Sequence, residues 1–430
     1  MTSHKPHGKQ LNLSTVASLG VFLVFALAFI IRSGYSYGAT LLLLTSLYFL
    51  AHRPKPSLSQ EDKIICWILF CIFAISTLTI LIHGNNTSSI DQSIRYLLAI
   101  PIFILLLHTP ARVTHIWLGI AIGVILSVGI ARWQLAHGYD RAEGYMNIIH
   151  FGNIALMYGV FCGAGLMWAS HQSRNKQQWQ IIFSIAILAS IYSMIASGSR
   201  GSWSAFPALA ILAGVTFLSK SNFKKAVAIT IGLVLCFGVL FAIPGTKMEA
   251  RYKDAISDVT NYFVHHNPDS SVGARLEMWH GALLNIPQKP IFGWNESDYA
   301  AQIKTEVSAK NLAPIALKFT NNLHNNFIQI LVFEGIAGLL PLLALYFISF
   351  YFFFKRIKSE NFNVKILAFC GSALLTCFFF FSMSQAILRR NDGVMMFLLT
   401  LAILWGCMRN MEQEDLRLEP PASHPQNLSS

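Results

Sequence analysis

The residues of this 430-residue chain that could do chemistry are arginines and a histidine set among apolar runs. Arg200 lies in the turn Ser197–Trp203, which is rich in glycine and serine. Arg275 and His324 lie further along the chain, each in a polar cluster. Guanidinium groups can grip a phosphate with two parallel hydrogen bonds, and a neutral histidine can take a proton from a hydroxyl. Together they could stabilise a pyrophosphate leaving group and activate an acceptor.

The composition surrounding these residues is that of a membrane protein. Hydrophobic residues make up 54% of the chain and charged residues 12%, whereas soluble domains carry about 25% charged residues. The net charge of +12 would suggest nucleic acid in a soluble protein, but lysine and arginine accumulate in the cytoplasmic loops of membrane proteins. We therefore expect membrane lipid, and no nucleic acid, as a partner.

Twelve apolar runs are candidates for helices that cross the membrane, where backbone groups must be paired internally. They lie at about 15–31, 37–51, 64–82, 97–108, 114–132, 149–169, 180–196, 203–218, 226–243, 323–354, 364–384 and 393–408. The predicted fold is an all-α polytopic membrane protein of about 12 transmembrane helices. No small-residue cleavage site follows the first run, so we expect a retained span rather than a signal peptide.

The loop charges predict the orientation. With the N-terminus cytoplasmic, the cytoplasmic segments hold 17 lysines and arginines, and the short outer loops hold seven arginines and no lysine. The predicted division is 1–243 for helices 1 to 9, 244–322 for one large outer loop, 323–409 for helices 10 to 12, and 410–430 for a cytoplasmic tail. A loop of this length is usually functional or folded.

His324 is predicted to lie in the first turn of helix 10, at the outer face. Asn321 or Asn322 would cap that helix. The positive helix N-terminus and nearby arginines would then lower the pKa of His324 and keep it neutral as a general base. Glu334, ten residues deeper, is expected to support helix contacts, with Gly335 and Gly338 admitting another helix. Alternatively, His324 only hydrogen-bonds a loop carbonyl.

Further outer-face residues are candidates for substrate binding. Trp279, one turn after Arg275, could stack on a sugar, or it could be an interfacial anchor; the same holds for Trp294. The turn around Arg200 could bind an anion at the start of the next helix, or it is a plain hairpin. The predicted set of substrate-binding residues is Ser199, Gly201, Trp279, Trp294, Asn325, Arg141, Arg389 and Arg390.

No metal or cofactor is expected. The seven cysteines form no CxxC pair, and no Walker A, HExxH or D-x-D pattern is present. Arginine could supply the electrostatic role of a metal at a pyrophosphate.

At these residues the sequence resembles the O-antigen ligase and O-antigen polymerase superfamily of bacterial envelope glycosyltransferases. Three segments carry the resemblance in family order and flank one large outer loop: S-G-S-R-G, R-x-x-x-W with P-x-x-G-W, and H-N-x-x-x-Q with E-G-x-x-G. They lie between about residues 190 and 345. The first six spans match only in topology.

Among the branches of this superfamily, the chain looks like the lipopolysaccharide O-antigen ligase. The resemblance implies transfer of O-antigen polysaccharide from undecaprenyl pyrophosphate to the lipid A–core oligosaccharide. The reaction would take place at the periplasmic face of the inner membrane, without metal and with inversion at the anomeric carbon. Arg200 and Arg275 match the family's pyrophosphate-binding arginines, and His324 its catalytic histidine.

Three other functions stay open at this point. An O-antigen polymerase would use polyprenyl-linked substrates on both sides of the reaction. A protein O-oligosaccharyltransferase usually has a further soluble C-terminal region, and only 21 residues follow Arg409 here. A polyprenyl-linked glycan transporter would place polar residues across the bilayer, whereas here they gather at one face.

Overall fold

The computed structural model describes residues 12–52, 56–84, 90–199, 201–218, 248–265 and 267–418. This part of the chain is built of α-helices and short 3-10 turns, with no strand. The α-helices are α1 Leu13–Ala26, α2 Tyr35–His52, α3 Gln60–Ile82, α4 Ile90–His108, α5 Val113–Ala136, α6 Ile148–Ser170, α7 Lys176–Ser197, α8 Phe206–Phe217, α9 Met248–His265, α10 Ser271–Asn285, α11 Glu296–Ser308, α12 Asn326–Phe333, α13 Gly335–Phe354, α14 Phe362–Ser384 and α15 Asn391–Leu418.

Eight of the described helices are long and apolar enough to cross a membrane, and two shorter apolar segments cover Leu13–Ala26 and Trp203–Phe217. The all-α polytopic membrane fold predicted from the apolar runs is therefore confirmed. The predicted span at 226–243 lies outside the described residues. The remaining runs each coincide with a helix, apart from the tenth, which the structure divides in two.

The tenth run is interrupted at Glu334. Helix α12 ends there, and α13 begins at Gly335, whose φ is +64°. A β-carbon on Gly335 would lie 2.2 Å from the carbonyl oxygen of Ile291, so the large loop occupies the space where a side chain would project. The first free N–H groups of α13 donate to that loop, from Ile336 to Pro290 O (2.8 Å) and from Ala337 to Ile291 O (3.1 Å).

The interruption also corrects the expectation for the two glycines. Gly335 admits the backbone of the loop and not another helix. Gly338 leaves room for the Glu334 side chain, because a β-carbon there would lie 2.5 Å from the Glu334 β-carbon.

The most deeply packed spans are α6, α14 and α15. Between 72% and 78% of the apolar window of each is buried by other helices, against 28% for α3. Neighbouring helices pack against α14 along its length, so its outer end has a fixed position. That end carries Met383, Ser384 and Gln385, which contribute to the site described below.

The large loop has a hydrophobic core of its own. Met278 and Ala282 of α10 pack with Tyr299 and Ile303 of α11, and the cluster continues onto Val332 of α12. Burying these side chains stabilises the loop and attaches it to the first helix after the loop. Residues 267–323 thus form a folded unit that packs onto the first helix after the loop.

The opposite ends of the spans are joined by charged groups. Glu61, at the start of α3, pairs with Lys355 and Arg356 at the end of α13. Asp62 forms a capping box with Ser59 and accepts a hydrogen bond from Trp405 Nε1 (2.8 Å). These contacts fix the ends of α3, α13 and α15 together.

Candidate active site

His324 lies just before α12 and not in its first turn. The helix begins at Asn326, and Asn325 caps it by accepting hydrogen bonds from the N–H groups of Phe327 and Ile328. The predictions that His324 starts the helix and that Asn321 or Asn322 caps it are wrong. His324 instead has a left-handed backbone, with φ +49°. Such a conformation is uncommon outside glycine, although histidine and asparagine adopt it more often than most residues.

The imidazole of His324 is held by one side chain from α14. Its Nδ1 lies 2.5 Å from Gln385 Oε1. A carbonyl oxygen only accepts, so Nδ1 donates this hydrogen bond, and in the neutral imidazole Nε2 then keeps its lone pair. Gln385 is buried and follows directly on the last residue of α14. This arrangement orients a histidine with a basic nitrogen, which is the form that a general base requires.

The environment of His324 lowers its pKa. Burial is the larger cause, because a half-buried imidazole loses hydration when it is charged. The charge of Arg275 lowers the pKa further, and the hydrogen bond from Gln385 opposes both effects. The direction predicted from the sequence is correct, but the main cause is burial, not the start of a helix.

Arg275 belongs to a helix that is fixed to the His324 segment. In the same helix, Trp279 Nε1 donates to the carbonyl of Leu323, the residue before His324 (2.8 Å). Glu277, which is buried, accepts from Tyr262 Oη (2.8 Å) and the N–H of Ala313 (2.6 Å). Helix α10 therefore holds the arginine close enough for its charge to act on the histidine.

Arg200 itself lies outside the described residues, but its neighbours reach the same place. A β-carbon on Gly201 would lie 2.4 Å from Ser384 Oγ, so this turn packs directly against the residue before Gln385. Ser199 is buried, and its N–H donates to Ser197 Oγ (3.1 Å).

The turn differs from the predicted helix start. Residues Gly201–Ala205 form a 3-10 turn, and the α-helix begins only at Phe206, with Pro207 in its first turn. The N–H of Ser199 is bonded within the chain, to Ser197 Oγ. The predicted position of the helix start is therefore wrong, and anion binding by this turn stays a prediction.

Three consecutive residues at the end of α14 hold these parts together. Met383 O accepts from Asn325 Nδ2 (3.2 Å), Ser384 packs against Gly201, and Gln385 binds His324. Segments distant in sequence thus meet at the C-terminal end of α14, one of the most deeply packed helices. The sequence analysis did not identify Gln385. Its one signal is that it is a polar residue near the end of a long uncharged run, and it lies 61 residues from its partner His324.

The predicted aromatic residues have structural contacts. Trp279 is half-buried and positions the His324 segment through its hydrogen bond to Leu323. Trp294 is 7% exposed and lies in the loop core, with Nε1 donating to Asn285 O (3.0 Å). The ring of Trp294 packs within the loop and also lines the cavity beside α12, so its substrate-binding role stays a prediction.

The three remaining arginines of the predicted set have contacts with other parts of the described structure. Arg141 Nε donates to Ser197 O (2.6 Å), so it binds the turn that carries Ser199. Arg389 pairs with Glu296 of the loop, and its guanidinium lies 5.3 Å from the Phe333 ring centroid. Arg390 lies 3.8 Å from Asp392 and its side chain is 54% exposed.

Comparison with known proteins agrees with these motifs. Residues 185–343 match the family model described as O-antigen ligase. This is the stretch that carries Gly201, Arg275 and His324. The resemblance to the O-antigen ligase superfamily is confirmed.

Two bacterial proteins are similar to this chain, one over most of its length and one over about half. An uncharacterized protein of Haemophilus influenzae is 29% identical over 387 residues, which cover 89% of this chain and 96% of that protein. An O-antigen ligase of Escherichia coli K12 is 26% identical over 205 residues, which cover 47% of this chain and 46% of that ligase. The matches support a multi-pass membrane glycosyltransferase of the O-antigen ligase and polymerase superfamily.

The contact between His324 and Gln385 leads to a test of positioning. Gln385→Leu removes the acceptor for Nδ1–H, and we expect kcat to fall about 10-fold to 100-fold, as for other groups that orient a catalytic side chain. Gln385→Glu keeps an acceptor and adds a negative charge, which raises the pKa of His324. This variant should recover activity, with the acid limb of its pH profile moved upward. If Gln385→Leu transfers at the wild-type rate, Gln385 does not orient the base.

Proposed function

We propose that this protein is an O-antigen ligase. It transfers O-antigen polysaccharide from undecaprenyl pyrophosphate to the lipid A–core oligosaccharide at the periplasmic face of the inner membrane. The observation that carries the proposal is the contact between His324 Nδ1 and Gln385 Oε1 (2.5 Å), together with the nearby charge of Arg275. This contact leaves Nε2 as the basic nitrogen of the neutral imidazole. A base beside a fixed cation suits the displacement of an anionic leaving group by a hydroxyl.

The proposed reaction is a single displacement. His324 Nε2 takes the proton of a core-sugar hydroxyl as the hydroxyl oxygen bonds to the anomeric carbon of the donor. The bond from that carbon to the pyrophosphate oxygen breaks, and the electron pair leaves with undecaprenyl pyrophosphate. Attack from the face opposite the leaving group inverts the anomeric centre.

Arg275 and Arg200 are proposed to bind the pyrophosphate. Negative charge builds on the pyrophosphate oxygen as its bond to the anomeric carbon breaks. A guanidinium group can stabilise that charge with two hydrogen bonds. Arg275 is supported by its electrostatic contact with His324. Support for Arg200 comes from Gly201, which packs beside Gln385 through Ser384. Arg141 would steady the same turn, since it binds Ser197 O.

The periplasmic orientation is supported by the loop charges. The charged contacts of Glu61, Lys355 and Arg356 lie at the ends of the spans that the predicted topology places in the cytoplasm. The predicted site residues lie at the opposite ends, where a polyprenyl-linked polysaccharide would be presented.

Deleting the gene tests this proposal against its rivals. Lipopolysaccharide is separated on a silver-stained gel, and the polyprenyl-linked polysaccharide pool is measured in parallel. A ligase predicts that long chains vanish from the lipid A–core and persist on the polyprenyl carrier. Single repeats on the core would indicate the O-antigen polymerase. Unchanged lipopolysaccharide would favour protein O-oligosaccharyltransferase or polyprenyl-linked glycan transport.

Transfer is expected to need no divalent metal, because the two arginines would supply the positive charge. Purified protein incubated with an excess of EDTA should transfer at its untreated rate. A rate that collapses in EDTA and returns with a divalent ion would contradict this expectation. The same preparation without chelator is the control.

A further inference from the structure

A cavity of about 200 Å³ lies beneath α12, between the outer ends of the spans and the loop. Its walls include Ser76 of α3, Tyr96 of α4, Glu334, and Trp294 of the loop. Arg389 also lines it, and that arginine pairs with Glu296 on the same wall. Its volume is below the range of about 300–1,000 Å³ that drug-sized ligands occupy, so the cavity suits one small polar unit.

Asn326, the first residue of α12, has an unsatisfied donor in this cavity. The residue is 2% exposed, it lines the cavity, and its Nδ2 has no hydrogen-bond partner in the described part of the chain. A buried amide without a partner is costly, by about 1–3 kcal/mol in mutational data. Such a donor is expected to have an acceptor in the working complex.

Glu334 supplies the matching acceptor. Its Oε2 accepts from Ser76 Oγ (2.6 Å), and its position is fixed by the break between α12 and α13. A carboxylate has two oxygens and about four acceptor positions, so it can also receive a hydroxyl. A donor amide and an acceptor carboxylate in one enclosed space recognise a neutral group that both gives and accepts hydrogen bonds.

The cavity is linked to the base through Gln329. This residue lines the cavity, while its Oε1 accepts from the N–H of Leu323 (2.7 Å) and its Nε2 donates to Asn321 O (3.0 Å). Gln329 therefore holds the segment that carries His324. Among the described residues from 109 to 217, none lines the cavity. The turn that contains Gly201 is therefore not part of its wall.

We propose that this cavity is a subsite for one sugar ring of the acceptor, with Asn326 and Glu334 binding its hydroxyl groups. The inference rests on the proposed ligase function. Nucleophile and leaving group must approach the anomeric carbon from opposite faces in an inverting displacement. The pyrophosphate is proposed to bind at the Gly201 turn, which does not line the cavity, whereas Gln329 connects the cavity to the His324 segment. The cavity therefore lies on the side from which the acceptor hydroxyl would approach His324.

Steady-state kinetics with purified, reconstituted protein test the assignment. Asn326→Leu and Glu334→Gln should each raise the KM for lipid A–core about 10-fold, with kcat and the KM for the polyprenyl-linked donor within about two-fold. Ile80→Phe fills the cavity from α3 and leaves both polar groups in place, so it should have the same effect. Leu78→Phe, which is 46% exposed on that helix and lies outside the cavity, is the matched control.

Binding separates this inference from the function on which it rests. Core oligosaccharide released from lipid A is titrated against wild-type protein, Ile80→Phe and His324→Asn. The subsite predicts saturable binding to wild-type and His324→Asn protein, and about 10-fold weaker binding to Ile80→Phe. Absence of transfer with this binding pattern intact would overturn the ligase and keep the subsite. Equal binding by Ile80→Phe and Leu78→Phe, or a rise in the donor KM instead, would overturn the subsite.

Discussion

His324→Asn is expected to lower kcat for transfer by about 10²–10⁴-fold, because the variant lacks the nitrogen that takes the acceptor proton. Asparagine is the informative replacement. It tolerates the left-handed backbone at φ +49°, whereas alanine adds strain there. His324→Ala should also abolish transfer, but a loss in that variant alone would not separate chemistry from backbone strain.

The control for this substitution is His280→Asn. His280 lies in α10 and its side chain is 48% exposed, so its replacement should leave the rate unchanged. Thermal unfolding and gel filtration in detergent establish that His324→Asn is folded. A folded His324→Asn protein that transfers polysaccharide at the wild-type rate would remove His324 from the mechanism.

Arg275→Gln is expected to lower kcat/KM by about 10²–10³-fold, the usual loss when one electrostatic contact to a charged transition state is removed. It should also move the pH profile. The active form of His324 is neutral, so activity is present above its pKa and is lost as the pH falls through it. Burial and Arg275 both lower that pKa. Removing Arg275 raises it, and the acid limb of kcat/KM should shift to higher pH.

Lysine at the same position separates charge from geometry. Arg275→Lys keeps the positive charge, so the acid limb should stay in place, but the loss of bidentate hydrogen bonding should still lower activity about 10-fold. Arg200→Lys is expected to show the same loss. Arg174→Lys, at an exposed arginine outside the predicted site, is the control. Full activity of Arg200→Lys and Arg275→Lys would exclude bidentate binding of the pyrophosphate.

Much of the fold follows from the sequence because lipid imposes a simple rule. Apolar runs must become helices there, and the apolar runs within the described residues coincide with helices. The break at Glu334 could not be read in this way. Glu334 is the only acidic or basic residue other than His324 in 323–354, and the backbone that fills the space at Gly335 is that of Ile291, more than 40 residues earlier.

The site was predictable to the extent that its residue types carry chemistry. Arg275 and His324 stood out as polar groups in family order, and the structure places them together. Gln385 could not be predicted, because a glutamine side chain has no charge or nucleophile that marks it as functional. Its hydrogen-bond partner is determined by how α14 packs. The role of Trp294 could not be decided from the sequence, because an aromatic residue in a loop can serve that loop's own core as well as a ligand.

The most direct test of the account is transfer by the purified protein. Reconstituted wild-type and His324→Asn proteins are incubated with undecaprenyl-pyrophosphate-linked polysaccharide and lipid A–core, and products are resolved by gel and mass spectrometry. The account predicts polysaccharide joined to lipid A–core, with release of undecaprenyl pyrophosphate, in the wild-type reaction only. Product formation by His324→Asn at the wild-type rate, or longer polyprenyl-linked chains with unmodified lipid A–core, would contradict it.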